Sequence, residues 1–123
     1  MPEFYEEKSS IPESRKYKIR ILGVNGANPT EQLGQGVVVT RTGEGAYLIT
    51  WSANPGTFVG WSIGFAAATP ADLKGYTAVR DTYDSTAKTL AFVVYDSTFT
   101  AADLIANQYA DITVEFAATS EIA

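Results

Sequence analysis

Carboxylates are the only side chains in this sequence that could act as acids or bases near neutral pH. The 123-residue chain contains neither histidine nor cysteine, so it offers no imidazole base, no thiolate nucleophile and no disulfide. A glycosidase would need two carboxylates at a fixed separation, one of them with a raised pKa. Aspartates in turns normally accept hydrogen bonds from their own backbone. We therefore predict a non-enzymatic protein, with turn roles for the aspartates at predicted strand ends: Asp81, Asp84, Asp96, Asp103 and Asp111.

Neither the aspartates nor the glycines form a recognisable metal-binding or cofactor-binding motif. Asp81, Asp84 and Asp96 could supply oxygen ligands to calcium, but their spacing does not match a calcium-binding loop. The glycines at 34–36 and 43–45 lack the strand, glycine spacing and helix of a phosphate-binding loop. The sequence therefore predicts no metal and no cofactor.

Aromatic side chains are numerous, with two tryptophans and seven tyrosines. In strands such residues usually belong to a core or to the centre of a protein interface. A sugar-stacking platform is the open alternative. Its candidates are Trp51, Trp61, Tyr47, Tyr76, Tyr83, Tyr95 and Tyr109.

Turn signals at close intervals separate short β-branched and aromatic runs, which predicts an all-β fold. We expect an antiparallel β-sandwich, jelly-roll-like, over residues 15–123, preceded by an extended N-terminal arm over residues 1–14. The predicted strands are 16–22, 36–41, 46–51, 58–67, 76–82, 89–95 and 109–117. Residues 23–35 are predicted as a loop, 69–75 as one helical turn, and 98–105 as a short helix or an irregular corner.

Several predicted strands are apolar on both faces, notably 37–39, 47–49 and 90–95. A sandwich that stands alone needs only one apolar face per strand. We therefore expect the second face to be covered, most simply by other copies of the chain. This pattern favours a self-associating assembly protein over a catalyst.

The first 14 residues are polar and acidic but contain three apolar side chains, Phe4, Tyr5 and Ile11. Such a segment buries too little by itself to offset its ordering entropy. Two interpretations stay open. The segment is either a frayed terminus or an arm that docks on a neighbouring subunit.

The next segment alternates, with Tyr17, Ile19 and Ile21 on one face and Lys16, Lys18 and Arg20 on the other. The basic row fits a solvated face or edge protection, with docking of an acidic partner or of nucleic acid as alternatives. The net charge of −5 disfavours nucleic acid, and no apolar run approaches the roughly 20 residues of a membrane span. We therefore predict that the chain binds neither nucleic acid nor a membrane.

Two stretches carry a family resemblance. Residues 36–47, GVVVTRTGEGAY, resemble the "VTRTGTGxY" hairpin of small β-domains in tailed-phage virion proteins. Residues 90–97, LAFVVYDS, with 102–109 and 112–116, resemble the "VVVxDS…DLAANEYLxVTVxF" ending of the same group.

This resemblance implies a structural virion component, either a capsid decoration (cement) protein or a related head or fibre module. It further implies packing around a symmetry axis, with a homotrimer favoured, and contact with the major capsid protein or another virion protein. The implied location is the capsid surface of the mature virion. During assembly, the implied location is the host cytoplasm. The alternative is a tail-fibre or receptor module that recognises a glycan. The resemblance transfers no functional residue, and as interface contacts we predict Phe4, Tyr5, Ile11, Tyr17, Ile19, Val38, Leu48 and Val93.

Overall fold

The computed structural model describes residues 14–34, 36–67 and 75–117, and in this part of the chain it contains strands and turns but no helix. The eight strands form two antiparallel four-stranded sheets. The first sheet has the order β2-β1-β8-β5 and the second has the order β3-β4-β7-β6. The strands are β1 (Ser14–Leu22), β2 (Thr30–Leu33), β3 (Val37–Gly43), β4 (Ala46–Trp51), β5 (Thr57–Ala67), β6 (Thr77–Arg80), β7 (Thr89–Tyr95) and β8 (Gln108–Ala117).

The two sheets pack face to face around a core rich in aromatic rings. Trp51 of β4 is 2% exposed, and its ring centroid lies 5.1 Å from that of Phe116 in β8. Tyr17 of β1 meets the same indole edge-on at 5.7 Å. On the other side of the core, the rings of Trp61 and Phe92 lie 5.5 Å apart. These contacts join both sheets and confirm the predicted antiparallel sandwich.

Strand β8 is the centre of the first sheet, because β1 and β5 pair with its two sides. Its residues alternate as predicted, with Ile112, Val114 and Phe116 buried in the core and Asp111 exposed on the outer side. The period of two follows from the pleat, which points successive side chains to opposite faces.

The second sheet contains the hairpin that the turn signals predict. Arg41 pairs with Tyr47, and the connection closes through Gly45, whose φ of +71° is the left-handed conformation that glycine adopts without strain. A Cβ atom at Gly45 would lie 2.6 Å from the backbone N of Ala102. The hairpin tip therefore packs directly against the 101–107 segment.

The structure corrects the predicted loop over residues 23–35, because Thr30–Leu33 forms β2 on the edge of the first sheet. This four-residue strand follows Pro29 and precedes Gly34, and it is too short to display a periodicity of its own. Of the two options for residues 98–105, the irregular corner is correct. The helical turn predicted over 69–75 lies almost entirely outside the described residues. The jelly-roll connectivity is not confirmed, since β3–β4 and β6–β7 are hairpins within one sheet.

Candidate functional site

Within the bounds of β3, β4, β6 and β7, the outward-facing row of the second sheet contains no charged side chain; the acid at its margin is Asp81, which follows β6 and donates its backbone N–H to Ala91 O at 2.8 Å. Register places its members on one face: Val38 opposes Thr50, Leu48 opposes Ala91, and Val79 opposes Val93. We call this surface the uncharged face. It consists of Val38, Thr40, Ala46, Leu48, Thr50, Thr77, Val79, Thr89, Ala91, Val93 and Tyr95.

Two valines on the edge strands of the uncharged face are the most accessible. Val38 of β3 is 57% exposed and Val79 of β6 is 55% exposed. Between them, Leu48, Ala91 and Val93 are half-buried on the central strands, flanked by their strand neighbours. The strands β3, β4 and β7 are therefore apolar on both faces, as the sequence predicts.

Both arginines of this sheet lie on the inner row, away from the uncharged face. Arg41 Nε donates a hydrogen bond of 2.9 Å to Asp103 Oδ1, which also accepts one of 2.8 Å from Gly45 N. The hydrogen bond from Arg41 is the main cause that lowers the pKa of Asp103. The guanidinium of Arg80 lies over the ring of Phe58, 4.5 Å from its centroid. Each cation thus has a partner at the margin of the core.

The outer surface of the first sheet has the opposite character. Arg20 Nε donates to Asp111 Oδ1 at 2.6 Å, and Lys16 pairs in register with Glu115. The half-exposed pair of Arg20 and Asp111 contributes little stability, because water screens it. The basic row predicted on β1 is thus exposed and interleaved with the acids of β8. Such a surface is typical of a sheet face that contacts water.

An aromatic pair adjoins the uncharged face at the end of β7. The rings of Tyr95 and Phe99 stack with centroids 4.6 Å apart, and Phe99 is 70% exposed. Asp96 holds this turn, because its Oδ1 accepts hydrogen bonds from Thr98 N at 2.9 Å and Thr100 N at 3.1 Å. The hydrogen bond from the Thr98 hydroxyl is the main cause that lowers the pKa of Asp96, and the two backbone bonds lower it further. Phe99 has a φ of +63°, an uncommon conformation for a bulky residue, so the turn imposes it.

Buried hydrogen bonds support the segment below this turn. Tyr47 Oη accepts a bond of 2.9 Å from Leu104 N. Gln108 Oε1 accepts bonds from Tyr76 Oη at 3.0 Å and from Ile105 N at 2.8 Å. Burial raises the pKa of both tyrosines, so their hydroxyls stay protonated near neutrality. This network fixes residues 101–107 against the sandwich and has a structural role.

The turn prediction is confirmed for Asp81, Asp84 and Asp96, which accept hydrogen bonds from backbone N–H groups just after them. It is wrong for Asp103, which binds Arg41 and Gly45 N of the hairpin, and for Asp111, which lies within β8 and pairs with Arg20. Asp84 Oδ1 accepts from Thr86 N at 3.0 Å and from Ala87 N at 3.1 Å. Asp81 Oδ1 accepts from Thr82 N at 2.7 Å. Among residues 14–34, 36–67 and 75–117, no group of three or more carboxylates lies close enough to hold a metal ion.

The predicted interface residues fall into three groups. Val38, Leu48 and Val93 lie together on the uncharged face, where they remain candidates for contact with a partner. The prediction that Ile19 contacts a partner is wrong. Ile19 is 2% exposed and belongs to the core, into which the single apolar row of β1 packs. Tyr17 lies on the same inner row, half-buried against Trp51. The predictions for Phe4, Tyr5 and Ile11 lie outside the described residues.

Sequence reasoning missed Val79 and Phe99. Val79 is one valine in a four-residue strand, and Phe99 lies in a segment predicted without a defined conformation. The sugar-stacking hypothesis loses Trp51 and Tyr47, since both rings are buried in the core. In the part of the chain that the structure describes, no helix has the length and apolar character that crossing a membrane requires.

The chain has no significant match to any of the protein-family models, curated proteins or solved structures with which it was compared.

Proposed function

We propose that this chain is a non-enzymatic structural protein of a phage virion, a capsid decoration (cement) protein that self-associates and binds the capsid lattice. The observation that carries the proposal is the uncharged face of the second sheet. Protein interfaces are depleted of charge at their centre, whereas a sheet face in water normally alternates apolar and polar residues. The first sheet of this molecule follows the solvent pattern and the second does not.

The distribution of charge over the chain supports assembly through this face. The chain has a formal net charge of −5, so two copies repel each other wherever their acidic surfaces meet. On the uncharged face, Val38, Leu48 and Val93 can pack against a partner without burying an ion. Burying an unpaired charge would cost several kcal/mol, and a lattice contact through these residues avoids that penalty.

The proposed assembly is a homotrimer in which the acidic segment at residues 1–14 reaches a neighbouring subunit or the major capsid protein. Support for the capsid lattice comes from the resemblance of residues 36–47, 90–97, 102–109 and 112–116 to virion proteins. The missing imidazole and thiol groups support a structural role. The aromatic pair Tyr95 and Phe99 keeps glycan recognition by a tail module as the alternative.

Immunogold electron microscopy of phage particles that encode this chain tests the proposal. Antibodies against the folded domain should label the capsid surface at many sites per particle. Labelling confined to the tail would favour the receptor-binding alternative. Purified particles without the chain would contradict both.

A further inference from the structure

Strand β5 is an open edge of the first sheet. It is the longest of the described strands, with 11 residues from Thr57 to Ala67, and it pairs with β8 on one side. No other described strand borders its second side. In an antiparallel strand the backbone N–H and C=O groups of alternate residues point to each side. Half of the β5 backbone therefore has no strand partner among the described residues.

The other three edges of the sandwich are protected in the ways that proteins commonly use. Strands β2 and β6 have only four residues each, and β6 contains Arg80. Strand β3 contains Arg41. Short length and charged side chains discourage pairing between sheet edges.

Strand β5 has none of these devices over most of its length. The segment from Thr57 to Ala67 contains no charged residue and no proline. A bulge interrupts its register between Phe58 and Gly60, and from Gly60 to Ala67 the pairing with β8 is continuous. This regular stretch of edge is a template for a further strand.

We propose that the β5 edge pairs antiparallel with β5 of a second copy of the chain, so that two first sheets join into one eight-stranded sheet. The apolar row Trp61, Ile63 and Phe65 faces inward and is half-buried. Only registers that keep this row on one face are allowed, since a one-residue slip would turn it to solvent. The register centred on Ile63 places Trp61 opposite Phe65 of the other copy and Ser62 opposite its Gly64.

A second copy fits this edge better than an unrelated strand because of charge and shape. Two molecules of net charge −5 repel each other, and β5 offers an edge on which no like charges meet. The self-pairing adds aromatic cross-strand contacts that partly cover Trp61 and Phe65. On the outer row, Gly60 and Gly64 have no side chain, so no side chain at these two positions crowds a strand that pairs beside β5.

This inference concerns a different surface from the uncharged face and holds whether or not the chain is a virion component. A two-fold contact closes after two copies. A trimer assembled elsewhere on the molecule would thus retain three free β5 edges, through which neighbouring trimers could join.

Disulfide trapping tests the pairing, because the wild-type chain contains no cysteine. The variants S62C and G64C are mixed, with one of them isotopically labelled, and oxidised at low protein concentration. Directly opposed residues of an antiparallel pair have Cα atoms about 4.5–5.5 Å apart, which a disulfide spans. We expect the mixed S62C–G64C dimer as the main cross-linked product. The control is S85C, an exposed position in the turn between β6 and β7, outside both proposed contact surfaces.

Trapping no greater than that of S85C, or equal trapping of S62C with itself, would overturn the proposal. A second variant, S62K/G64K, places cations on both sides of the junction and should shift the sedimentation profile to smaller species. The turn variant S85K/A87K adds the same charge at exposed positions and should leave the profile unchanged. Circular dichroism checks that both variants fold. An unchanged profile for folded S62K/G64K would also overturn the proposal.

Discussion

Arg41 and Asp103 form the ion pair that keeps the uncharged face free of cations on β3. Their Nε–Oδ1 distance is 2.9 Å, and the Asp103 side chain is only 11% exposed. Arg41 pairs in register with Tyr47, whose ring is buried, so its side chain lies on the inner row of the sheet. The same carboxylate fixes the hairpin tip through Gly45 N. One aspartate therefore joins the hairpin, the 101–107 segment and the charge pattern of the outer face.

Replacing Asp103 with alanine should lower the free energy of unfolding by about 1.5–3 kcal/mol, because it removes charge-assisted hydrogen bonds from a largely buried site. The matched control is D111A, whose partner Arg20 is half-exposed. There the loss should stay within about 1 kcal/mol. Urea denaturation of both variants and the wild type measures the difference. Equal losses for the two variants would contradict the structural role given to Asp103.

The lowered pKa of Asp103 makes this contribution depend on pH. The stabilisation is fully present above the ordinary aspartate pKa of about 3.9 and is lost as the pH falls through the lower pKa of the folded state. The difference in unfolding free energy between wild type and D103N should therefore be constant near neutrality and shrink in acid. Denaturation curves from pH 7 down to pH 3 give this difference. A difference that grows in acid would show that the sign is wrong.

Two glycines with the same φ allow the cost of a steric clash to be measured separately from the cost of backbone strain. Gly26 and Gly45 both have a φ of +71°, but a Cβ at Gly26 meets nothing within 4 Å. The G26A variant should lose about 1–2 kcal/mol from the left-handed conformation alone. The G45A variant adds a clash with the backbone of Val94 and Ala102, and should lose about 3 kcal/mol or more. Thermal and urea unfolding measure both, and similar losses would argue against the close approach of the hairpin tip.

Charges placed on the uncharged face should impair association and spare the fold. Val38 and Val79 are more than half exposed, so V38K/V79K should change the unfolding free energy by about 1 kcal/mol or less. Self-association should weaken at least about tenfold, because each contact would then bury two cations without partners. Sedimentation velocity over a concentration series measures this, with S85K/A87K as the control of equal charge. Unimpaired association of V38K/V79K would remove this face from the assembly.

Local sequence patterns predicted individual strands where those patterns are strong, but not the order of the strands within the sheets. The alternation of β8 and the turn around Gly45 are encoded in neighbouring residues, and both were predicted. Strand β2 was missed because four residues between Pro29 and Gly34 are too few to establish a period.

The candidate site was predicted only in part, because an apolar run does not say which of its residues faces the core. In the run Val37–Val39, the structure buries the first and third residues and exposes Val38. For Ile19 the apolar row was recognised but was assigned to a partner, although β1 has no second apolar row to supply the core. The exposure of Phe99 depends on the turn at Asp96, which acts through contacts that no periodicity reveals.

The most direct measurement of the central claim is an electron cryomicroscopy reconstruction of a phage particle that contains this chain. The account predicts that protein density from a neighbouring subunit or from the capsid covers Val38, Leu48 and Val93, while Lys18 and Thr113 on the other sheet face solvent. A reconstruction in which the outer surface of the second sheet lies open to water, with no protein against it, would contradict the account.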